Sequence, residues 1–282
     1  MDGRDAYRHA PPREPERVSR RALLRLGRSA RARADTDFDG VTERVRAGFE
    51  TAAAVPLLRA LEPVAGMAVA LAGVAPGDHV LDAGAGDGNV ALACAARGGS
   101  VAACDVAAAM VARGRARCGE RVAWRHADVQ ALPYPDAAFD VVISAFGAAL
   151  APRARTAAGE LARVLRPGGR LVLAAWVPRG LPGRLDELVD RPDGVRSPTA
   201  WADEATARRR LEPHFEDVER RSRTVALGFP DADAMFAALA SPFGVSATAR
   251  PAFDRLLAAQ NNRPPAAEVD ARYVLYAGDR RR

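Results

Sequence analysis

Glycines and an acidic residue are concentrated in one short stretch of the chain. Residues 80–89 read VLDAGAGDGN, in which Asp82 is followed by Gly84, Gly86 and Gly88 at alternate positions. Glycine adopts a positive φ readily and lets a ligand approach without a Cβ in the way. A helix that starts after such a turn offers free N–H groups to a carboxylate or phosphate. The stretch predicts a small-molecule site, with a tight turn that binds nothing as the alternative.

The spacing of these glycines separates two classes of ligand. The dinucleotide fingerprint G-x-G-x-x-G would have its third glycine at position 89, which is Asn89, whereas the chain reads D-x-G-x-G-x-G. The pattern disfavours a nicotinamide-dependent oxidoreductase, which nevertheless stays open as an alternative, as does a non-catalytic protein that binds a cofactor.

Two further acidic residues follow apolar runs. Asp105 lies 17 residues after Gly88, where a carboxylate at the end of the neighbouring strand can accept hydrogen bonds from both hydroxyls of a ribose. An N-cap for a helix at Ala107 is the alternative, and both roles can coexist. Asp128 could accept from an adenine amino group while Val129 packs on the ring, and an acid in a surface loop is the alternative.

A sheet is needed to bring these residues together, and the pattern between them predicts one. Over residues 79–176 short apolar runs alternate with segments of helical spacing, as in βαβ units whose sheet is covered on both faces. The predicted strands are His79–Ala83, Ser100–Asp105, Arg121–Arg125, Phe139–Ser144 and Arg170–Trp176, and the predicted helices are Asn89–Ala96, Ala107–Arg117 and Thr156–Leu165.

Further elements are predicted on either side of this region. Residues 38–72 have the spacing of two or three helices, broken near Pro56 and Pro63. Beyond residue 177 the pattern loosens. The elements predicted there are a helix at Ala202–Leu211, a strand at Val218–Leu227, helices at Ala232–Leu239 and Pro251–Ala259, and a last strand at Val269–Ala277.

The chain resembles the class I S-adenosylmethionine-dependent methyltransferases, in the group that includes the ubiquinone and menaquinone C-methyltransferases and many small-molecule enzymes. The matching pieces are DAGAGDG at 82–88, Asp105, ADVQALPYPDAAFD at 127–140 and LARVLRPGGRL at 161–171, about one third of the chain. The resemblance implies a Rossmann-like α/β sheet of about seven strands with the last one antiparallel, N-terminal helices, and a helical insertion before the final strand.

The resemblance also implies an organisation and a set of roles. The prolines and charges of residues 1–35 by themselves predict a basic arm that is disordered or loosely helical. Residues 36–77 would be N-terminal helices forming a lid, 78–177 the cofactor-binding core, and 178–282 further lid and C-terminal strands. The cofactor would be S-adenosyl-L-methionine, with the glycine turn at its methionine and ribose, Asp105 at the ribose, Asp128 and Val129 at the adenine, and residues 144–147 at the sulfonium. The complete implied set is Asp82, Gly84, Ala85, Gly86, Gly88, Asp105, Val106, Met110, Asp128, Val129, Ser144, Ala145 and Phe146.

Methyl transfer from a sulfonium needs alignment of the acceptor more than acid or base catalysis. Proximity and orientation can supply roughly 7 to 11 kcal/mol of barrier reduction, so no dedicated catalytic residue is required. The candidate catalytic side chains are His126 and Tyr134, with a packed or solvent-facing side chain as the alternative for each.

Residues 144–147 read SAFG and narrow the acceptor. They contain no N/D-P-P-Y element for nucleobase methylation, no Pro-Cys nucleophile and no carboxylate for a divalent ion. DNA and metal are therefore disfavoured, and a small, apolar or aromatic acceptor under a lid formed by 38–72 and 177–210 is expected. Its candidate aromatic walls, with core packing as the alternative, are Phe49, Tyr134, Phe146, Trp176 and Trp201.

Charge, cysteines and hydropathy limit partners and location. All 41 basic residues are arginine, and the first 33 residues carry ten of them against four acids, a net +6 that equals the formal charge of the whole chain. The remainder is neutral, which argues against a nucleic-acid-binding face on the domain. The three cysteines do not have metal-ligand spacing, and no apolar run is long enough for a transmembrane helix. A twin-arginine pair occurs at 20–21, but arginines interrupt the segment that follows it. These features together predict a cytoplasmic protein. Oligomeric state has no signal in the sequence.

Overall fold

One twisted sheet organises the domain. The computed structural model describes residues 37–282, so the arm predicted at 1–35 lies outside the described residues. The strands are β1 (His79–Ala83), β2 (Ser100–Asp105), β3 (Val122–His126), β4 (Phe139–Ala145), β5 (Leu165–Trp176), β6 (Phe215–Phe229) and β7 (Ala267–Arg280). Over the described residues these seven strands have the order β3-β2-β1-β4-β5-β7-β6.

Helices cover both faces of this sheet. They are α1 (Phe38–Phe49), α2 (Val55–Ala60), α3 (Glu62–Ala72), α4 (Asn89–Ala95), α5 (Ala108–Cys118), α6 (Gly147–Leu150), α7 (Ala154–Val164), α8 (Leu181–Arg184), α9 (Glu204–Leu211), α10 (Ala232–Phe243) and α11 (Arg250–Ala258). Successive strand side chains point to opposite faces, and Val80 and Leu81 accordingly belong to two different core clusters, each with no exposed surface. The expectation of a sheet buried on both faces is confirmed.

The central strands place their carboxyl ends at one edge of the sheet. β1 pairs in parallel with β2 and with β4, so that Asp82 lies between Ala103 and Ile143. The chain turns to one side of β1 for β2 and β3 and to the other for β4 and β5, which creates a topological switch point between β1 and β4. Ligands of open α/β sheets bind in the crevice at such a point.

The last strand lies inside the sheet. β7 pairs antiparallel with both β5 and β6, as in the pairs Val172 with Ala277 and Val225 with Ala271. A final antiparallel strand and a helical insertion before it, here α10 and α11, are confirmed. β6 and β7 are longer than the predicted 218–227 and 269–277 because they pair with each other along almost their whole lengths.

The helix–strand boundary before β5 was predicted wrongly. α7 ends at Val164 and β5 begins at Leu165, whereas the sequence indicated a helix to Leu165 and a strand from Arg170. Leu165 pairs with Phe139 and Arg170 with Val141, so residues 166–169 form an irregularity inside the strand. This pairing is with a distant segment, and no local pattern could indicate it.

No single helix within residues 37–282 is long and apolar enough to cross a bilayer. The helical segments Ala52–Ala60 and Glu62–Ala72 reach that length and apolar character only when they are taken together, and a bend of 56° separates them.

Candidate active site

A cavity opens at the carboxyl ends of β1, β2 and β4. It encloses about 1110 Å³ including its mouth, and its roof is formed by α1, α2 and the end of α10. Ten of the thirteen residues expected at the cofactor line it: Asp82, Gly84, Ala85, Gly86, Asp105, Val106, Asp128, Val129, Ala145 and Phe146.

The glycine turn is pressed against the end of β4. Gly84 and Gly86 have φ angles of 71° and 56°, which L side chains rarely adopt. A Cβ on Gly84 would lie 2.7 Å from the Cα of Gly147, and a Cβ on Gly147 would lie 2.6 Å from the Cα of Gly84. The two backbones therefore meet where neither can carry a side chain, and Phe146 beside them is held at a φ of 74°.

Asp105 holds the turn from the neighbouring strand. Its Oδ2 accepts from the backbone N–H of Gly86 at 2.8 Å and its Oδ1 from that of Ala107 at 2.9 Å. Burial raises the pKa of Asp105 to about 6, although both N–H donors act in the opposite direction. Each oxygen keeps a second lone pair that can accept a further hydrogen bond.

The N-cap alternative for Asp105 needs correction. α5 begins at Ala108 with Ala107 as its N-cap, and no side chain of the cap residue bonds to the helix. Instead the Glu50 carboxylate, at the end of α1, accepts from the backbone N–H groups of Ala108 at 3.0 Å and Ala109 at 2.9 Å. Glu50 was not predicted, because the helix that it caps is 58 residues further along the chain.

Asp82 is buried with an incomplete set of partners. The residue is 1% exposed, and its Oδ2 accepts from the N–H of Ala91 in α4 at 2.9 Å. Its Oδ1 has no hydrogen-bond partner among residues 37–282. Burial raises the pKa of Asp82 to about 8, and the charge of Asp105 raises it further. A carboxyl in this position fits a cationic partner in the cavity that it lines.

The loop after β3 is shaped by Asp128 and Gln130. The Asp128 carboxylate accepts from the backbone N–H of Gln130 and from its Nε2, each at 2.8 Å. Gln130 Nε2 also lies 3.2 Å from the hydroxyl of Thr42 in α1, and its Oε1 accepts from the N–H of Arg153 at 2.9 Å. This network joins the roof of the cavity to the loop that was predicted at the adenine.

Three residues of the expected set lie behind the cavity instead of on it. A Cβ on Gly88 would meet Cys118 and Trp124, so this glycine accommodates helix packing. Met110 is fully buried with Ala54 and Ala107 in a small separate cluster. The Ser144 hydroxyl donates to the carbonyl of Ala83 at 2.6 Å and accepts from the N–H of Ala148 at 2.9 Å; it ties β4 to β1 and α6.

Neither candidate base lines the cavity. His126 Nε2 lies 2.8 Å from the carbonyl oxygen of Val106. The Tyr134 ring packs edge-on against Phe139, with centroids 5.1 Å apart, beneath the guanidinium of Arg125. Burial raises the pKa of Tyr134, which makes a phenolate less accessible. The structure thus brings His126 beside the cavity wall and Tyr134 into the core.

The rest of the cavity is an apolar chamber. Phe146 and Trp176 stack at 4.1 Å between ring centroids, and both line it together with Phe49. Pro242 and Phe243 of α10 line it as well, although the sequence indicated a lid at 177–210; no residue of that described segment is on the cavity. The helical pattern of α10 was visible in the sequence, but not the place where it docks.

The described residues offer little for metal chemistry. No group of three or more His, Cys, Asp or Glu within residues 37–282 could hold a metal ion. Among the described residues that line the cavity, the ionisable ones are Asp82, Asp105 and Asp128.

Comparison with known proteins gives matches centred on this core. The family model described as a methyltransferase domain matches residues 81–173. An uncharacterized protein of Mycobacterium tuberculosis is 34% identical over 182 residues, 61% of this chain and 66% of that protein. A demethylmenaquinone methyltransferase of Clavibacter sepedonicus is 35% identical over 141 residues, 49% of this chain and 53% of that protein. The match covers less than two thirds of either relative.

A solved structure agrees at the level of the fold. The YcgJ protein from Bacillus subtilis superposes with a TM-score of 0.55 over 77% of this chain and 98% of its own, at 22% identity.

Proposed function

We propose that this chain, which belongs to the class I S-adenosylmethionine-dependent methyltransferase family, transfers a methyl group from that cofactor to a small, uncharged, apolar or aromatic acceptor. The observation that carries the proposal is the buried, unpartnered Oδ1 of Asp82 beside the Gly84–Gly86 turn, in a cavity that also has an apolar part lined by leucine and aromatic side chains. One part of the cavity thus suits an amino acid joined to a nucleoside, and the other suits a neutral molecule.

The residues present fit the cofactor. The free Oδ1 of Asp82 would accept from its ammonium group, and the Gly84–Gly86 backbone would lie against its methionine portion without a Cβ in the way. Asp105 would accept from the ribose hydroxyls through its remaining lone pairs, while Val129 would pack on the adenine next to Asp128. When bound, S-adenosylmethionine supplies a methyl group already activated by the positive charge on sulfur.

The chain's own contribution is to position the acceptor and exclude water. Leu57 and Leu58 of α2, Leu61 at its C-terminal end, and Phe146 and Phe243 all line the chamber. These apolar walls suit an apolar acceptor, which replaces contacts with water by contacts with the walls. The face of an aromatic ring near the sulfonium would stabilise its charge. Since neither candidate base lines the cavity, alignment carries the rate enhancement, to the extent of roughly 7 to 11 kcal/mol.

A binding comparison separates this proposal from an oxidoreductase. Dinucleotide-binding sheets have the parallel order 3-2-1-4-5-6, whereas here an antiparallel β7 separates β5 from β6. We expect calorimetry to detect binding of S-adenosylhomocysteine and not of NAD. Tighter binding of NAD would refute the proposal.

Turnover separates an enzyme from a non-catalytic relative. We expect the protein, incubated with tritiated-methyl cofactor and an extract fractionated by polarity, to label neutral apolar compounds. Cofactor binding without label in any fraction would favour the non-catalytic alternative.

A further inference from the structure

A buried arginine lies outside the cofactor cavity, where α9 meets the 3-10 turn Pro198–Trp201. Arg210 is 7% exposed and Trp201 is 1% exposed. The Arg210 guanidinium carbon lies 4.5 Å from the centre of the Trp201 ring. Neither residue lines the cofactor cavity, so this pair forms a separate feature of the molecule.

Both side chains bury a donor that nothing in the described chain accepts. Nη1 of Arg210 and Nε1 of Trp201 have no hydrogen-bond partner within residues 37–282, and no salt bridge of the described residues includes Arg210. A buried charge without a partner is strongly destabilising, and an unsatisfied buried donor adds to that cost. Because the guanidinium of Arg210 lies over the Trp201 ring, the two unsatisfied donors belong to neighbouring side chains and favour an acceptor nearby.

The surroundings are positive as well. Burial lowers the pKa of Arg210 to about 10, and the positive charges of Arg196, Arg155 and Arg209 act in the same direction. Arg155 and Arg196 are exposed. Arg155 also lies in the first turn of α7, an 11-residue helix whose N-cap makes no side-chain hydrogen bond, so the positive end of a helix dipole is added.

Nearby acidic side chains are engaged elsewhere. Asp203 accepts from the N–H of Thr206 as the N-cap of α9, and Glu204 and Glu212 pair with Arg208. The charged side chains that act on Arg210 are thus three arginines, with no carboxylate among them.

We propose that the group formed by Arg210, Trp201, Arg155, Arg196 and Arg209 binds a tetrahedral oxyanion, a phosphate or the phosphoryl group of a phosphomonoester. Arginine donors match the oxygens of phosphate, and several positive charges favour a multiply charged ion. Bound there, the oxyanion accepts from Arg210 and Trp201 and neutralises the repulsion among the exposed arginines.

Calorimetric titration of the full-length protein with inorganic phosphate, at constant ionic strength set with chloride, tests the proposal. We expect saturable binding, weakened about 10- to 100-fold in Arg210→Met, as loss of a hydrogen bond to a charged group predicts. Arg155→Gln removes an exposed charge without touching the core and should weaken binding about 3-fold. A parallel titration with glycerol 3-phosphate distinguishes a phosphomonoester from free phosphate as the ligand. Tighter binding than phosphate identifies a phosphomonoester, and equal or weaker binding identifies the free ion.

Arg208→Gln is the matched control. Arg208 is on the same helix, but it is paired with Glu204 and Glu212, so its loss should change the affinity for phosphate by less than about 2-fold. The affinity for S-adenosylhomocysteine should stay the same in all three variants. Absence of saturable phosphate binding in the unmodified protein, or equal affinities in Arg155→Gln and Arg208→Gln, would overturn the proposal.

Discussion

At the scale of single residues, the protonation of Asp82 connects stability to binding. Its pKa in the folded free protein is about 8, well above the ordinary value of roughly 3.9. A raised carboxyl pKa stabilises the folded state at low pH, and this contribution is lost as the pH rises through about 8. Near neutral pH the free protein therefore holds Asp82 protonated, whereas an ammonium partner requires the carboxylate.

Binding of the cofactor should consequently depend on pH. We expect the affinity for S-adenosylhomocysteine to fall about tenfold per pH unit between pH 8 and pH 6, because a proton must leave Asp82 on binding. Calorimetry in two buffers of different ionisation enthalpy measures that proton. Asp82→Asn should bind roughly 10- to 100-fold more weakly at pH 8.5 and show no such dependence. A flat affinity in the unmodified protein would contradict the assignment of Asp82.

The sequence predicted most of the cavity residues in the glycine turn and at the strand ends, with one miss in each, Gly88 and Ser144. Asp82, Gly84, Gly86 and Asp105 were identified from type and spacing, and all four line the cavity. Ser144 does not line the cavity, whereas the next residue, Ala145, does. The two differ because neighbouring strand residues point to opposite faces of the sheet. A strand end can thus be placed from sequence, but which of its side chains faces the ligand depends on the exact residue at which β4 stops.

At the scale of elements, the contact between Gly84 and Gly147 fixes the distance between the ends of β1 and β4. We expect Gly147→Ala to cost about 1 to 3 kcal/mol by overpacking and to weaken cofactor binding, because its Cβ would lie 2.6 Å from the Cα of Gly84. Denaturant unfolding and calorimetry measure the two effects.

Gly66 provides the control for that substitution. It lies within α3, and a Cβ there would meet nothing within 4 Å. Gly66→Ala should therefore stabilise the protein by about 0.5 to 1 kcal/mol and leave binding unchanged. Equal effects of the two substitutions would show that steric contact is not the cause.

The roof is held to the core by a charge at a helix end. Hydrogen bonds from Ala109 and Ala108 hold the pKa of Glu50 below its usual range. The contribution of Glu50 to the stability of the folded state is therefore complete at neutral pH, and it is lost as the pH falls through that lowered pKa. We expect Glu50→Gln to cost about 0.5 to 1 kcal/mol and to speed hydrogen exchange in α1. Glu43→Gln is the control, because Glu43 pairs with the same Arg46 on the solvent side; exchange that speeds equally in both variants would contradict the role of Glu50.

Local elements were predictable where hydrophobic spacing was local. The predicted bounds of β1 and β2 agree with the structure, since each is a short apolar run between polar turns. The start of β5 was missed because Leu165 pairs with Phe139 of β4, which is distant in the sequence. The docking of α10 on the cavity was missed for a related reason: its contact with α1 through Gly48 and Ser241 joins segments 193 residues apart.

At the scale of the whole molecule, β7 completes the sheet. It is the shared neighbour of β5 and β6, so removal of residues 267–282 leaves β6 without a partner and β5 paired with β4 alone. We expect this truncated protein to lose cooperative thermal unfolding by circular dichroism. Removal of Arg281 and Arg282 alone, outside the strand, should cost no more than about 1 kcal/mol. A cooperative transition in the longer truncation would contradict the need for β7.

The strand number and the antiparallel final strand were predicted from resemblance to a family, because no periodicity states which strands are neighbours. Periodicity did predict a sheet covered on both faces, through continuous apolar runs such as residues 141–143, where Val141 and Ile143 face one cluster and Val142 the other. The strand arrangement was thus predicted from the resemblance, and the burial of both sheet faces from the local pattern.

The position of β7 also has a consequence for biosynthesis. While the chain is being translated, the backbone groups along β6 that pair with β7 have no partner until residues 267–280 have been made. Unpaired strand edges invite association between molecules, and domains whose pairing is completed late are exposed to it for longer. The nascent protein therefore cannot close its sheet before β7 has been made, and cells that make it quickly should rely on chaperones to keep β6 from pairing with another copy.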